Sequence, residues 1–396
     1  MTFMYLTREQ EKMLSGEYGW AVAKAMEILV RVGEAVGADS LIEVVHAHVA
    51  GVSFSTIGKH GLELIGEFYK AGGRARVFTT INPGCIDYSG FSRLIDNAYE
   101  SEQRLIDAAL EGMGFRPVHT CVPYYYRPPS PGEHLAWSES SAVIIANSVY
   151  GARTNREGGL LALAASLTGY TYRAGLHLDE NRVARVLLKI DPEIRPGYYG
   201  ALGLWIGESI RKAPLVTGAP KTMDYVLRNM LAAAAASGNH ALVALEGVTP
   251  PRTFKAEIEE RVFVEKGDIE KYVFNPPKST SSEILGYLGC PHMLPEDLLY
   301  VVKLLRKYGP VKRGKLLLTV PREFITKYSA LVREAAALGA DIAAGTCPVV
   351  STPRRKFDYI ITSSGKSYFY LSKIHRTRVG IASDEEVVKY VCGVYG

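Results

Sequence analysis

The chain has 396 residues, of which 47% are hydrophobic and 22% are charged, so it can bury a sizeable core divided among two or three domains. Lysine and arginine together number 46 and aspartate and glutamate 41, a mild basic excess that suits a small anionic substrate better than a nucleic acid. The sequence contains neither a secretory signal nor an apolar run long enough to span a bilayer. We therefore expect a cytoplasmic protein without a membrane partner.

The first third of the sequence alternates helical periodicity with short apolar runs. In chain order, it predicts a helix over residues 7–35 with a break near Ser15, a strand over 41–45, a helix over 55–69, a strand over 77–79 and a helix over 91–113. Three tyrosines and three prolines between residues 124 and 131 predict an extended loop at the surface or along a cleft.

The remaining two thirds continue the alternation. The predicted elements are a helix over 137–150, strands over 171–178 and 183–190, a helix over 222–236, a strand over 241–245, helices over 295–307 and 323–338, strands over 315–319 and 359–362, and a final helix after Ser383. The charged, proline-bearing segment 250–277 is expected to be a domain boundary or a connection. Helices and strands that alternate in this way predict an α/β fold.

Three of the five cysteines share a local setting. Cys121, Cys290 and Cys347 each follow a predicted element, and a proline lies one or two residues further on. Proline restricts the neighbouring backbone, which stiffens a loop that has to aim a sulfur atom. An odd number of cysteines does not describe a disulfide framework. No pair is spaced Cys-x-x-Cys, which disfavours zinc ribbons, thioredoxin-like sites and ferredoxin clusters.

Two interpretations of these three cysteines stay open at the level of the residue pattern. Three thiolates can bind three irons of a cubane cluster and leave the fourth iron free to act as a Lewis acid. Alternatively, the three are small buried hydrophobic residues beside turns, which is the commonest role of a free cysteine. Cys392 lies in an apolar terminal segment and is expected in the core. Cys85 lies in a polar turn, and its role is left open.

Several longer motifs resemble those of the aconitase X family: residues 46–53, 137–141, 147–159, 289–292, 345–348 and 364–366. The resemblance extends over nearly the whole chain. It implies an aconitase-like fold in which three α/β/α domains surround an iron–sulfur cluster, and we expect these domains over residues 1–135, 136–270 and 271–396. It further implies that Cys121, Cys290 and Cys347 hold a [4Fe-4S] cluster with one iron not bound by protein.

The same resemblance implies a partner and a reaction. In aconitase-like enzymes a swivelling domain carries the serine that acts as base, and in two-subunit members this domain is a separate small subunit. We therefore expect a small subunit as partner and no catalytic base in this chain. The expected reaction is a hydro-lyase reaction on a phosphorylated hydroxy acid, the dehydration of (R)-mevalonate 5-phosphate to trans-anhydromevalonate 5-phosphate in isoprenoid biosynthesis by a modified mevalonate pathway. The alternatives are a family member that dehydrates cis-3-hydroxyproline and a cluster-dependent RNA-binding or sensor protein.

Candidate substrate-binding residues lie in turns after predicted strands, where open α/β sheets bind ligands. They are Gly51, Val52, Ser53, Asn82, Pro83, Glu139, Ser140, Ser141, Arg153 and Lys366. The backbone N–H groups and hydroxyl of the first three can hold an anion at a helix N-terminus. These residues also have simpler structural interpretations. The serines can cap helices, Asn82 and Pro83 can form an ordinary turn, an arginine of this segment can brace Glu157, and Lys366 can be a solvated surface residue. His46 and His48 can be either buried core residues or residues of the site.

Overall fold

The computed structural model describes residues 4–221, 224–276, 283–354, 356–374 and 376–394. Within these residues the helices are α1 Arg8–Ser15, α2 Trp20–Ala35, α3 Phe54–Lys70, α4 Glu100–Gly112, α5 Ser140–Ile145, α6 Gly159–Thr168, α7 Tyr199–Ser209, α8 Tyr225–Gly238, α9 Lys266–Ile269, α10 Pro295–Tyr308, α11 Phe324–Lys327, α12 Ser329–Ala337, α13 Gly365–Ile374 and α14 Asp384–Cys392. The strands are β1 Leu41–Glu43, β2 His46–Val49, β3 Phe78–Ile81, β4 Ile95–Asp96, β5 Ala136–Trp137, β6 Tyr170–Tyr172, β7 Val183–Ile190, β8 Pro214–Thr217, β9 Ala244–Leu245, β10 Lys255–Val264, β11 Ile284–Leu288, β12 Lys315–Val320, β13 Ala340–Ala344, β14 Thr352–Pro353, β15 Tyr359–Thr362 and β16 Arg378–Ile381.

Three parallel sheets follow one another along the sequence. Their strand orders are β3-β2-β5, β10-β7-β8-β9 and β13-β12-β11-β15-β16. Two short antiparallel pairs, β1 with β6 and β4 with β14, connect distant parts of the chain. Parallel strands joined by helices are the arrangement of an α/β protein, so the predicted fold class is confirmed.

The third sheet is buried on both faces, which explains why its strands are mostly apolar. Leu316 and Leu318 of β12 face a core formed with α10, α12 and α14. Leu317, between them, faces the opposite side, where it packs in a cluster with Leu371 of α13. Because side chains alternate across a strand, this one sheet holds helices on both sides. Its carboxyl edge is left free for the loops that begin at residues 289, 345 and 363.

Close glycine contacts position the start of α13 against α7. A side chain added at Gly365 would meet the carbonyl oxygen of Gly200 at 2.1 Å. A side chain added at Gly200 would in turn meet the carbonyl oxygen of Ser363 at 2.2 Å. Only glycine permits an approach this close. The contact therefore fixes the segment that leads into Lys366 against the helices of the second sheet.

The predicted elements are confirmed where an apolar run or an amphipathic period was strong. The strands predicted over 183–190 and 359–362 match β7 and β15 residue for residue. The break near Ser15 is real, because Gly16 ends α1 in the left-handed conformation. For the helix predicted over 222–236, residues 222 and 223 lie outside the described residues, Asp224 is the N-cap, and residues 225–236 belong to α8.

Several predictions were wrong in part. The helix predicted over 137–150 starts only at Ser140, and the strand predicted over 241–245 starts only at Ala244. The helix predicted over 91–113 starts only at Glu100, because the residues before it form a loop and β4. The strand predicted over 171–178 ends at Tyr172. The segment 250–277 is more than a connection, since it contains β10, which pairs in parallel with β7 at the edge of the second sheet.

Candidate active site

The three cysteines meet beside the carboxyl edge of the third sheet. Cys290 follows β11 and Cys347 follows β13, while Cys121 arrives from the first part of the chain. A negative charge on Cys290 raises the pKa of both other thiols, and all three cysteines raise the pKa of the buried Tyr287. Such mutual electrostatic effects require short separations in a protein interior. Burial is the larger cause of each of these pKa shifts, and the added effect of the neighbouring sulfurs shows that the three thiols lie within electrostatic range of one another.

His292 ties the three cysteine loops together. Its backbone N–H donates to Cys121 Sγ at 3.2 Å. Its ring Nε2 lies 3.0 Å from the carbonyl oxygen of Thr346, and its Nδ1 lies 3.3 Å from Thr120 Oγ1. Burial lowers the pKa of His292 to about 4, so the ring is neutral. Since a carbonyl only accepts, Nε2 carries the proton and Nδ1 accepts from the threonine hydroxyl.

The donor set suits a positively charged inorganic centre. Cys121 and Cys290 are buried, and burial raises the pKa of Cys121 far above its usual value and that of Cys347 to about 12. Thiolates at these positions therefore need a cationic partner. Among the described residues, no three histidine, cysteine or carboxylate side chains lie close enough to share a single metal ion. An iron–sulfur cluster does not require three side chains around one ion, because each thiolate binds a different iron.

A buried ion pair lies next to the cysteines. The Lys366 ammonium contacts Glu139 Oε1 and lies 3.4 Å from Ser141 Oγ. Burial alone would raise the pKa of Glu139, but the charge of Lys366 holds it at about 2. Glu139 also raises the pKa of Lys366, and Cys290 and Cys121 contribute in the same direction. The lysine therefore stays charged, in contact with the carboxylate and within electrostatic range of the two thiols.

Glu139 is held by a dense set of donors at the start of α5. Its Oε1 accepts from the backbone N–H of Ser141 at 3.3 Å, from the Ser141 hydroxyl at 3.1 Å and from the Ser140 hydroxyl at 3.3 Å. Asn82 Nδ2 donates to the other oxygen at 2.9 Å. A carboxylate with this many donors is fixed in orientation as well as in charge. Four of the predicted site residues thus converge with Lys366.

A chain of hydrogen bonds runs from this carboxylate into the first sheet. His48 Nε2 lies 3.2 Å from Asn82 Oδ1, and His48 Nδ1 lies 2.8 Å from Thr80 Oγ1. The same hydroxyl lies 2.9 Å from His46 Nε2. All of these side chains are buried. His46 and His48 are therefore members of an extended polar network rather than isolated core histidines.

In this series of hydrogen bonds, each group donates toward Glu139. Asn82 donates through its amide nitrogen to Glu139, so its oxygen accepts from His48 Nε2–H. Burial lowers the pKa of His48 to about 4, and the neutral ring then accepts at Nδ1 from Thr80. The Thr80 oxygen accepts in turn from His46 Nε2–H. The network is thus fully ordered from His46 to the carboxylate.

The other candidates near residue 51 line the same region. Gly51 has a φ of +71°, which suits glycine in the sharp turn after β2. Val52 is buried and accepts a hydrogen bond through its carbonyl from Gln103. Ser53 precedes α3 without a side-chain cap bond, and its hydroxyl donates to the carbonyl of Val350 at 2.9 Å. Ser53 thus connects this turn to the loop of Cys347.

Pro83 and Cys85 lie in the turn that follows Asn82, and both are buried. The Cys85 thiol donates to Gln103 Oε1 at 3.2 Å. Thr346 Oγ1 donates to the carbonyl of Gly84 at 2.7 Å. The turn therefore touches the loop of Cys347 through its backbone, while the sulfur of Cys85 is engaged by a glutamine.

Arg153 is placed differently from the other candidates. Its guanidinium donates to the carbonyl of His177 at 2.9 Å and to Asp179 at 2.5 Å. It does not brace Glu157, which instead accepts from Thr171 Oγ1 at 3.0 Å and Tyr172 OH at 3.2 Å. The structure therefore gives Arg153 a bracing role between loops, outside the network of Glu139.

The sequence did not single out His292 or Thr80. His292 lies inside a quoted motif, directly after Cys290 and Pro291, and that position was the available signal. Thr80 lies in a strand whose alternation gives no sign of a polar role. Its importance arises only because β2 and β3 pair in the register that places His48 opposite Thr80.

In the part of the chain that the structure describes, no helix combines the length and apolar character needed to cross a membrane.

The parallel sheets and the three convergent cysteines define an α/β protein of aconitase-like architecture. Three family models match the sequence in succession: Aconitase X first domain over residues 3–180, Aconitase X second domain over 184–274 and Aconitase X third domain over 284–393. The chain belongs to the aconitase X family. Our own division at residues 135 and 270 stays a prediction.

Relatives within this family share most of the chain. The phosphomevalonate dehydratase large subunit of Thermococcus kodakarensis is 39% identical over 93% of this chain and 95% of its own length. That of Methanosarcina mazei is 37% identical over 93% and 92%. The crystal structure of the holo form of aconitase X from Thermococcus kodakaraensis superposes with a TM-score of 0.88 at 35% identity, over 98% of this chain and 100% of that one. A cis-3-hydroxy-L-proline dehydratase of Hypocrea jecorina is more distant, at 27% identity over 98% of this chain and 69% of its own.

Proposed function

We propose that this chain is the large subunit of a phosphomevalonate dehydratase, a hydro-lyase that converts (R)-mevalonate 5-phosphate to trans-anhydromevalonate 5-phosphate. The observation that carries the proposal is that His292 links the loops of Cys121, Cys290 and Cys347, in a structure that also contains the buried pair of Lys366 and Glu139. The relatives named for this reaction are closer in sequence than the hydroxyproline dehydratases.

An iron–sulfur cluster fits the three cysteines by charge. Three thiolates, two of them on the buried residues Cys121 and Cys290, carry more negative charge than this interior stabilises alone, which is the situation that an iron centre relieves. Cys121, Cys290 and Cys347 would hold the cluster, with one iron left without a protein ligand. When bound, such a cluster supplies a Lewis acid that polarises the hydroxyl to be expelled.

Dehydration removes a proton from the carbon next to the carboxylate and a hydroxide from the adjacent carbon, and a carbon–carbon double bond forms as water leaves. The substrate carries a carboxylate and a phosphate. Lys366, charged and buried, is placed to attract an anionic group toward the thiols. Asn82 and Ser141 restrict Glu139 to one orientation, so the lysine meets the substrate at a fixed position.

The base is expected from the small subunit. His48 and His292 are neutral, but the ring nitrogens of each already take part in hydrogen bonds. Neither histidine therefore offers a free nitrogen for proton abstraction. The relatives are named as large subunits, which supports a partner that supplies the missing group.

The test is turnover by the complete enzyme. The chain would be produced together with its small subunit, reconstituted anaerobically with iron and sulfide, and incubated with mevalonate 5-phosphate. We expect loss of one water, detected by mass spectrometry, and a vinylic proton signal in NMR. Omission of the small subunit or of iron should reduce turnover to background.

cis-3-Hydroxy-L-proline serves as the second substrate in the same assay. Turnover of hydroxyproline without turnover of mevalonate 5-phosphate would refute the proposed substrate and keep the reaction class. Turnover of neither substrate, combined with tight binding of RNA by the iron-free protein, would favour the RNA-binding or sensor alternative.

A further inference from the structure

A small cavity lies behind the site, where the second and third sheets meet. Its volume is about 260 Å³, and its lining includes Gly200, Tyr225, Asn229, Ser363 and Asp384. Tyr225 and Asn229 belong to α8, Ser363 follows β15, and Asp384 is the first residue of α14. None of these residues belongs to the network of Glu139.

Two side-chain oxygens of this cavity are buried without a hydrogen-bond partner. Asn229 is 3% exposed, and its Oδ1 has none among the described residues. The same holds for Asp384 Oδ1. Asn229 Nδ2 lies 3.5 Å from Ser363 Oγ, so the amide nitrogen has a partner while the oxygen has none among the described residues. An unsatisfied buried oxygen is costly, and native structures usually supply it with a partner.

The unpaired atoms are acceptors, so the missing partner is a donor or a cation. Further oxygens are close by, because the Ser363 hydroxyl lies 3.4 Å from Tyr225 OH. A neutral amide oxygen, two hydroxyl oxygens and one carboxylate form an all-oxygen set, the type that hard cations prefer.

The charges around the cavity favour a single positive charge. Arg228 and Asp297 neutralise each other at 2.5 Å, and Glu385 pairs with Lys307 and a second lysine. Asp384 is left without an ion pair among the described residues, and burial raises its pKa to about 7. The N-terminus of α14 offsets part of its negative charge. The remaining charge is too small for a divalent ion and suits a monovalent one.

We propose that this cavity binds a monovalent cation, of which potassium is the representative, through Asp384, Asn229 and Ser363. The ion would join α8, α14 and the segment that leads to Lys366. Tyr225 OH also accepts from the backbone N–H of Gly289, next to Cys290, at 3.4 Å. Occupancy would therefore stabilise the two loops that carry Cys290 and Lys366 without contacting substrate.

The first test is thermal unfolding of the full chain at constant ionic strength in potassium chloride and in tetramethylammonium chloride. The methyl groups of tetramethylammonium prevent oxygen atoms from coordinating its charge. A ligand that binds only the folded state raises the unfolding temperature. We expect potassium to raise it by roughly 2–4 °C in a saturable manner. Asp384→Asn and Asn229→Leu should each abolish the difference between the salts.

Glu100→Gln is the matched control, because Glu100 is the first residue of α4 as Asp384 is of α14. It removes a charge from the same helix position but lies outside the cavity, so it should keep the potassium effect. Crystals soaked in rubidium chloride should show anomalous scattering in the cavity. Equal unfolding temperatures in both salts for the unmodified chain, a potassium effect that persists in Asp384→Asn, or rubidium found only elsewhere would overturn the proposal.

Discussion

His292 Nε2 lies 3.0 Å from the carbonyl oxygen of Thr346, and through this contact the loop of Cys290 holds the loop of Cys347. The same ring accepts from Thr120, next to Cys121. One buried imidazole therefore fixes the spacing of all three cysteine loops. Side chains that orient metal ligands in this way contribute to metal affinity without touching the metal.

We predict that His292→Asn weakens iron retention. The shorter side chain cannot reach both threonine partners, so the cysteine loops lose their common support. Loss of such an orienting contact costs about 10–100-fold in metal affinity. The measurement is the rate of iron release to a chelator under anaerobic conditions, compared with the unmodified chain.

His240→Asn is the control for that experiment. His240 is also buried and bonds a backbone carbonyl, that of Ile210 at 2.9 Å, but it lies away from the cysteine loops. Its substitution should lower stability without faster iron release. Equal iron release from both variants would mean that His292 acts on stability alone.

We predict that Cys290→Ser removes most of the bound iron and reduces turnover below about 1% of the unmodified enzyme. A hydroxyl is a poor substitute for a thiolate toward iron. Iron content per chain and visible absorbance after reconstitution provide the measurement. Intact iron content and activity in this variant would contradict the ligand assignment.

Two other cysteines provide matched controls for the ligand assignment. Cys392 is buried in α14, and its thiol donates to the carbonyl of Gly309 at 3.0 Å. Cys85 is engaged by Gln103, and a serine hydroxyl can make the same bond. Both serine variants should retain iron. Loss of iron from Cys85→Ser would instead indicate that Cys85 takes part in the cluster site.

The sequence predicted those features that depend on local pattern or on motif resemblance, and it missed those that depend on distant contacts. The strand over 183–190 is apolar at six of its eight positions and was predicted residue for residue. The loop before α4 was predicted as helix. Its conformation is set by Ser92, whose hydroxyl donates at 2.5 Å to Asp341, 249 positions further along the chain. Helical periodicity contains no information about such a contact.

The same distinction applies to the site. The shared setting of the three cysteines was visible in the sequence, and their meeting followed from the family resemblance. The linking role of His292 requires three loops to arrive at one ring, and the role of Thr80 requires a particular register between two strands. Both depend on tertiary structure, which explains why residue type alone did not reveal them.

We predict that Lys366→Met lowers kcat/KM for mevalonate 5-phosphate by at least about 100-fold, because an anionic substrate loses its buried cation. The substitution also leaves Glu139 buried without a counter-ion, which costs about 3–5 kcal/mol of stability. The double variant Lys366→Met with Glu139→Gln removes both charges and should recover much of that stability. Its activity should stay low.

Lys373→Met is the control, since Lys373 is an exposed residue of the same helix, α13. It should leave both kcat/KM and stability near those of the unmodified enzyme. Recovery of activity together with stability in the double variant would show that Lys366 acts only by neutralising Glu139, and it would contradict a role in substrate binding.

We predict that Glu157→Gln stabilises the protein above neutral pH. Burial raises the pKa of Glu157 to about 7 from its ordinary value of 4.5, so between these values the folded chain binds a proton that the unfolded chain does not. The free energy of unfolding therefore falls as pH rises through this window, and glutamine removes a penalty of roughly 3 kcal/mol at pH 8. Urea unfolding at pH 5 and pH 8 measures the difference, with the exposed Glu67→Gln as control. A gain that is equal at both pH values, or larger at pH 5, would mean that Glu157 is already ionised in the folded protein at acidic pH.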